Sequence, residues 1–193
     1  MITVFLSAGI PDPRREPDFA RTADRIAIRD AVRALASVVL PRGRLVWGGH
    51  PAITPLIRVV AEGIGITSAD RVILYQSSFF EGRMVEDNAA FERVVLTRAV
   101  EGDRRKSIEA MRHAMLTDNA FDAGVFIGGM SGVVEEYHSF RRHHPGAVVL
   151  PVATTGAAAR ELFQSDGARF PRELATDLAY SSLFRRFLPR GAR

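Results

Sequence analysis

The chain has 193 residues and no cysteine, which excludes disulfide bonds, iron–sulfur centres and zinc sites with cysteine ligands. Hydrophobic residues make up 47% and charged residues 25%, as in an average soluble protein, so we expect one ordered domain over residues 1–193. The formal net charge is +4, but the arginines are spread along the chain and no nucleic-acid motif is present, so we expect no nucleic-acid partner.

No apolar run approaches the roughly 20 residues that a membrane helix needs. The opening residues 1–9 lack the basic region and cleavage site of a secretory signal, so we expect a cytoplasmic protein with no membrane partner. His143 and His144 have no further ligand nearby in the sequence, and we therefore expect no metal site and no cofactor.

In the first half of the chain, short apolar runs alternate with stretches of helical periodicity. The first run is followed by a proline-rich segment, 11–17, which predicts an irregular loop. Strands are predicted at 2–6, 44–47 and 71–76, and helices at 18–40 and from 51 to about 63.

The same alternation continues in the second half. Residues 77–90 are predicted to be rich in loops, and 91–99 to include a short strand. Further strands are predicted at 123–127 and 147–153, and helices at 107–116, 133–143 and 157–163. The tail, 171–187, has an apolar stripe that either packs on the domain or forms an interface, made of Leu174, Leu178, Leu183, Phe184 and Phe187.

This order predicts an α/β fold: a three-layer, Rossmann-like, doubly wound and mostly parallel sheet. Small residues follow three strands directly before a helix. Because the carboxyl ends of parallel strands share one edge, where helix N-termini donate N–H groups to phosphate, the three corners predict a phosphate-binding site. Its predicted residues are Ser7, Ala8, Gly9, Gly48, Gly49, His50, Gly128, Gly129, Met130, Ser131 and Gly132.

Several residues at this edge leave two interpretations open. Ser131 is expected to cap its helix as well as to donate to phosphate, and His50 either contacts the ligand or caps the following helix. Arg14 either grips a diphosphate, together with its neighbours, or belongs to an exposed charged loop. Ligand contact and structural turn are the alternatives for Gln76, Ser77, Thr154 and Thr155.

Neither a G-x-G-x-x-G fingerprint nor a P-loop motif is present, which argues against an ordinary NAD site. Instead, residues 127–135 resemble the PGGxGTxxE signature of Lonely Guy nucleotide phosphoribohydrolases, with departures at Ile127, Ser131 and Gly132. With residues 4–13, 48–56 and 75–80, this segment resembles the SLOG superfamily of Lonely Guy and DprA relatives. The resemblance runs from Val4 to about Thr155, and it implies a nucleotide ligand and the strand order 3-2-1-4-5.

The resemblance implies three alternative functions. The first is sensing of a nucleotide-derived signal such as ADP-ribose or cyclic ADP-ribose, as in antiphage signalling, with the chain acting as a homo-oligomer or on a separate effector protein. The second is hydrolysis of nucleoside monophosphates, with Glu135 as the catalytic residue and an arginine partner left open among Arg58, Arg98 and Arg112. In that interpretation the neighbouring Glu136 is expected to be solvated. The third is DNA binding as in DprA, which is supported only by the superfamily resemblance and the basic net charge.

Overall fold

The computed structural model describes residues 1–66, 68 and 70–191. Its strands are β1 (Ile2–Gly9), β2 (Gly43–Trp47), β3 (Val72–Ser77), β4 (Val94–Thr97), β5 (Ala123–Gly128) and β6 (Val148–Val152). Its α-helices are α1 (Pro17–Thr22), α2 (Arg25–Val39), α3 (Thr54–Gly63), α4 (Arg104–Thr117), α5 (Ser131–His143), α6 (Ala157–Ser165) and α7 (Tyr180–Phe187).

The six strands form one parallel sheet in the order β4-β3-β2-β1-β5-β6. The five longer strands keep the predicted order, and the short strand predicted within 91–99 joins the edge beside β3. Strand β1 is the switch point, because Leu6 pairs with Trp47 of β2 on one side and with Val125 of β5 on the other. In such sheets ligands bind beyond the carboxyl end of this switch point.

Both faces of the sheet are covered, as the doubly wound fold predicts. Alternate residues of β1 separate the two cores: Val4 and Leu6 pack with α2, α3 and α7, whereas Phe5 packs with α4, α5 and α6. Phe5 stacks on Phe140 of α5 with ring centroids 5.3 Å apart. In this second layer α4 and α5 pack side by side, α4 over β3 and β4 and α5 over β1 and β5.

Two of the differences between predicted and observed helix boundaries come from aspartates that cap helices. The helix predicted at 18–40 is split in two, since the Asp24 side chain accepts hydrogen bonds from the N–H groups of Ile26 and Ala27 and starts α2. Helix α4 begins three residues before the predicted start because Asp103 accepts from the N–H group of Lys106.

The apolar stripe predicted in the tail forms only in part. Leu183 and Phe184 are buried, and α7 packs against α2. Leu174, which precedes α7, is also buried, whereas Leu178 is 67% exposed, so its place in the stripe was wrong. No helix in the described part of the chain is long and apolar enough to cross a membrane.

Candidate functional site

A pocket of about 1030 Å³ opens at the carboxyl edge of the sheet. It lies over the ends of β1, β2 and β5, and its outer wall is formed by α4 and α5. The three glycine corners predicted from the sequence all contribute to this one pocket. The predicted residues that line it are Ala8, Gly9, Gly48, Gly49, His50, Gln76, Gly129, Met130, Ser131, Gly132 and Glu135.

The predicted corner after β6, which contains Thr154 and Thr155, forms hydrogen bonds within the fold. Thr155 is buried and its hydroxyl accepts a hydrogen bond from the N–H group of Gly128 at 2.9 Å while donating to the Val152 carbonyl oxygen. The Thr154 hydroxyl is paired with that of Tyr180, 3.1 Å away. Both threonines are therefore engaged within the fold and lie outside the pocket lining, which favours the structural turn over ligand contact.

Ser7, Arg14, Ser77 and Gly128 also lie outside the lining. Ser7 and Ser77 are buried, and the Ser77 side chain accepts from the N–H group of Phe79. Gly128 is enclosed because a Cβ on it would meet Ile28 and the carbonyl oxygen of Gly9. The side chain of Arg14 is exposed, which agrees with the charged-loop alternative.

The N-terminus of α5 already holds an anionic side chain. Ser131 is the first residue of the helix and makes no capping hydrogen bond, which corrects the expectation that it caps. Its N–H and hydroxyl groups instead donate to the two carboxylate oxygens of Glu16, at 3.0 and 2.9 Å. Two donors of this corner are therefore directed at one anion, as the helix dipole favours.

An arginine of α4 bridges two glutamates of α5. Arg112 donates to Glu135 at 2.5 Å and to Glu136 at 2.8 Å, and the Ser7 hydroxyl donates to the other oxygen of Glu136. The side chain of Glu135 is 66% exposed but that of Glu136 only 15%, so the expectation that Glu136 is solvated was wrong. Gly132 makes room for this bridge, since a Cβ there would overlap the Arg112 guanidinium.

Of the three arginines that the sequence offered as a partner of Glu135, Arg112 is the one that pairs with it. Arg58 pairs with Glu62 and Asp87 instead, and Arg98 is exposed and outside the pocket lining.

The pocket is lined by more cations than sequence reasoning identified. Four carboxylates face it, from Glu16, Glu109, Glu135 and Glu136. The arginines that line it are Arg15, Arg83, Arg104, Arg105, Arg112 and Arg142. Most of them come from α4, the end of α5 and the loop after β3, where charged residues lack a local pattern that marks them as site residues.

His50 both caps a turn and faces the pocket. Its Nδ1 accepts a hydrogen bond from the N–H group of Ala52 at 3.1 Å. Burial, followed by the nearby positive charge of Arg15, lowers the pKa of His50 below its ordinary value of 6.5. The imidazole is therefore neutral at pH 7 with its proton on Nε2, close to Gly9 in the pocket.

The lowered pKa of His50 predicts a loss of stability in acid. Between pH 6.5 and the lower pKa of the folded state, the unfolded chain binds the extra proton, so the free energy of unfolding falls as the pH falls. In His50→Asn, whose side-chain oxygen can still accept from Ala52, this contribution is removed. Urea unfolding at about pH 5 and about pH 7 measures it. An equal loss in the wild type and the variant would contradict the assignment.

The family model described as the SLOG cluster3 family matches residues 18–188. The X-ray structure of TM1055, a Northeast Structural Genomics Consortium target, superposes with a TM-score of 0.61 and 16% sequence identity, covering 96% of this chain and 99% of that chain. This likeness establishes a shared three-layer α/β fold. No curated protein matches the sequence.

Proposed function

Since this chain belongs to the SLOG cluster3 family, a family with a nucleotide-related role, we propose that its pocket binds a nucleotide-derived anion such as ADP-ribose or cyclic ADP-ribose. The observation that carries this proposal is the convergence of three glycine corners and the N-terminus of α5 on one arginine-lined pocket. Backbone N–H groups and arginines are the donors that bind phosphate in proteins.

The dimensions and the lining suit a ligand with both charged and apolar parts. The volume of about 1030 Å³ lies at the upper end of the roughly 300–1,000 Å³ of typical small-molecule sites. The phosphates belong beside Ser131, where the helix N-terminus already holds a carboxylate. The lining also contains apolar side chains that offer a surface for the base, namely Trp47, Phe80, Met84, Val85 and Met111.

Matched ligands test the proposal. ADP-ribose and AMP are expected to raise the melting temperature, because a ligand at 100 times its Kd stabilises the folded state by about 2.7 kcal/mol. Adenosine, which lacks the phosphate, is expected to have little effect at the same concentration. Differential scanning calorimetry measures all three. Equal shifts with AMP and adenosine, or none with any of them, would contradict a phosphate-binding nucleotide site.

A pair of charge reversals locates the site. Arg105 lines the pocket, whereas Arg33 is an exposed residue of α2 outside its lining. Arg105→Glu is expected to weaken ADP-ribose binding about tenfold, through lost attraction and new repulsion. Arg33→Glu changes the net charge by the same amount and is expected to leave the affinity within about twofold. Titration calorimetry compares them, and equal losses would show that only overall charge matters.

The Arg112 bridge favours a second candidate function, hydrolysis of the N-glycosidic bond of a nucleotide. Cleavage of a glycosidic bond passes through an oxocarbenium-like transition state, which a nearby carboxylate stabilises while water is added and the base leaves. Glu136 is held in the pocket wall by Arg112 and Ser7, and Glu135 lies at the exposed end of the same bridge. Chromatography that measures the release of free adenine from AMP tests this activity. If Glu136→Gln or Glu135→Gln abolishes the release, the replaced glutamate is the carboxylate that acts in the cleavage.

A further inference from the structure

We propose that Glu16 is a built-in competitor of the ligand, and that a phosphate group displaces it from the N-terminus of α5 and releases the segment 12–22. This inference rests on the proposed function, because it assigns the phosphate subsite and its regulation. Both oxygens of the Glu16 carboxylate are held by Ser131, at 2.9 and 3.0 Å, within the pocket lining. An anion from the chain itself thus takes the place where a ligand anion is expected.

The segment that carries Glu16 is hydrogen-bonded at both ends, and between them it is held by partly buried side chains, among them Phe19, which packs against the core. Before it, the carbonyl oxygen of Gly9 accepts from the N–H group of Gly129 at 2.8 Å. At its other end, the Thr22 hydroxyl accepts from the N–H group of Ala157 at 3.1 Å. Helix α1, which lies in the segment, buries no residue. A segment with few buried contacts opens at a small cost in free energy, so its middle can move while both ends stay in place.

A phosphate has the advantage over the carboxylate at this position. The carboxylate has one charge and two oxygens, whereas a phosphate monoester has up to two charges and three terminal oxygens to accept hydrogen bonds. Removing Glu16 also takes one of the four carboxylates out of a pocket lined by six arginines. The state in which Glu16 is bound to Ser131 cannot bind the phosphate. The apparent affinity therefore equals the intrinsic affinity multiplied by the fraction of molecules in which Glu16 is not bound there.

Affinity measurements test the competition. Glu16→Gln removes the competing charge and is expected to tighten AMP binding about tenfold in titration calorimetry. The matched control is Asp18→Asn, which removes the same charge from an exposed carboxylate of the same segment and is expected to change the affinity by less than about twofold. Weaker AMP binding by Glu16→Gln would overturn the inference, since Glu16 would then be a ligand contact.

Hydrogen exchange tests the release of the segment. In the ligand-free protein, Glu16→Gln is expected to speed amide exchange in residues 12–22, and Asp18→Asn is not. Inorganic phosphate is expected to speed exchange in the same residues of the wild type, and unchanged exchange would overturn the inference. If inorganic phosphate releases the segment but AMP and ADP-ribose do not bind, the nucleotide function alone fails.

Discussion

Replacement of Gly156 by alanine is expected to lower the free energy of unfolding by about 3 kcal/mol or more. Gly156 has φ 71° and ψ −158°, a region of backbone conformation that is essentially restricted to glycine. A Cβ at this position would also overlap the carbonyl oxygen of Thr22, a backbone atom at the end of α1. Relief of the overlap requires the chain to move, because no side chain can rotate out of the way. Denaturant unfolding measures the loss.

Gly102→Ala is the matched control. Gly102 also has a positive φ, 67°, but a Cβ there would have no atom within 4 Å. Only the conformational strain remains, and we expect a cost of about 1–2 kcal/mol. Similar losses for the two variants would show that the contact with Thr22 adds nothing. A larger loss for Gly156→Ala would show that the close contact between Gly156 and Thr22, where the segment carrying Glu16 ends, contributes to stability.

This corner shows a limit of prediction from local sequence. Thr154 and Thr155 have the same pattern as the ligand-lining corners, namely small polar residues after a strand. Their hydroxyl groups are used within the fold, by Tyr180, Gly128 and Val152. A strand-end pattern fixes which edge of the sheet a residue reaches, but the partner of its side chain depends on segments far away in the sequence.

Five of the six strands were predictable because each is a mostly buried apolar run followed by glycine or small polar residues, whereas β4 has exposed side chains. The order of these five strands was implied by the resemblance to the SLOG superfamily. Convergence of the corners after β1, β2 and β5 followed from the rule that parallel strands end at one edge. The start of α2 directly after Asp24 was missed although aspartate is a preferred N-cap, since apolar periodicity continues on both sides of it.

The site residues that sequence reasoning missed are mostly long charged side chains. Glu16 was missed, and Arg112 was only one of three candidate arginines; they reach the pocket from a loop and from α4, and their partners lie 115 and up to 24 residues away. Local periodicity cannot find such pairs. Glu136 was accessible to reasoning, because it lies three residues after Val133 and four before Phe140, which are both buried on the inner face of α5.

The two ion pairs of Arg112 are expected to differ in strength, and a double-mutant cycle measures each of them. The Arg112 and Glu136 side chains are 21% and 15% exposed, and Ser7 fixes the second oxygen of Glu136. For this pair we expect a coupling energy of about 1.5–3 kcal/mol, as for charged hydrogen bonds away from water. Glu135 is 66% exposed, so its coupling to Arg112 is expected to stay below about 1 kcal/mol.

Arg112→Met is the variant that connects this bridge to function. Methionine keeps much of the length of the side chain but removes the charge, and it leaves Glu135 and Glu136 without their cation in a pocket proposed to bind an anion. We expect ADP-ribose to bind at least about tenfold more weakly to this variant, through repulsion by two unneutralised carboxylates. Adding Glu136→Gln to Arg112→Met removes one of these charges and is expected to restore part of the affinity. If the double variant binds no better than Arg112→Met, then Arg112 contacts the ligand directly, and neutralisation of Glu136 is not its main contribution.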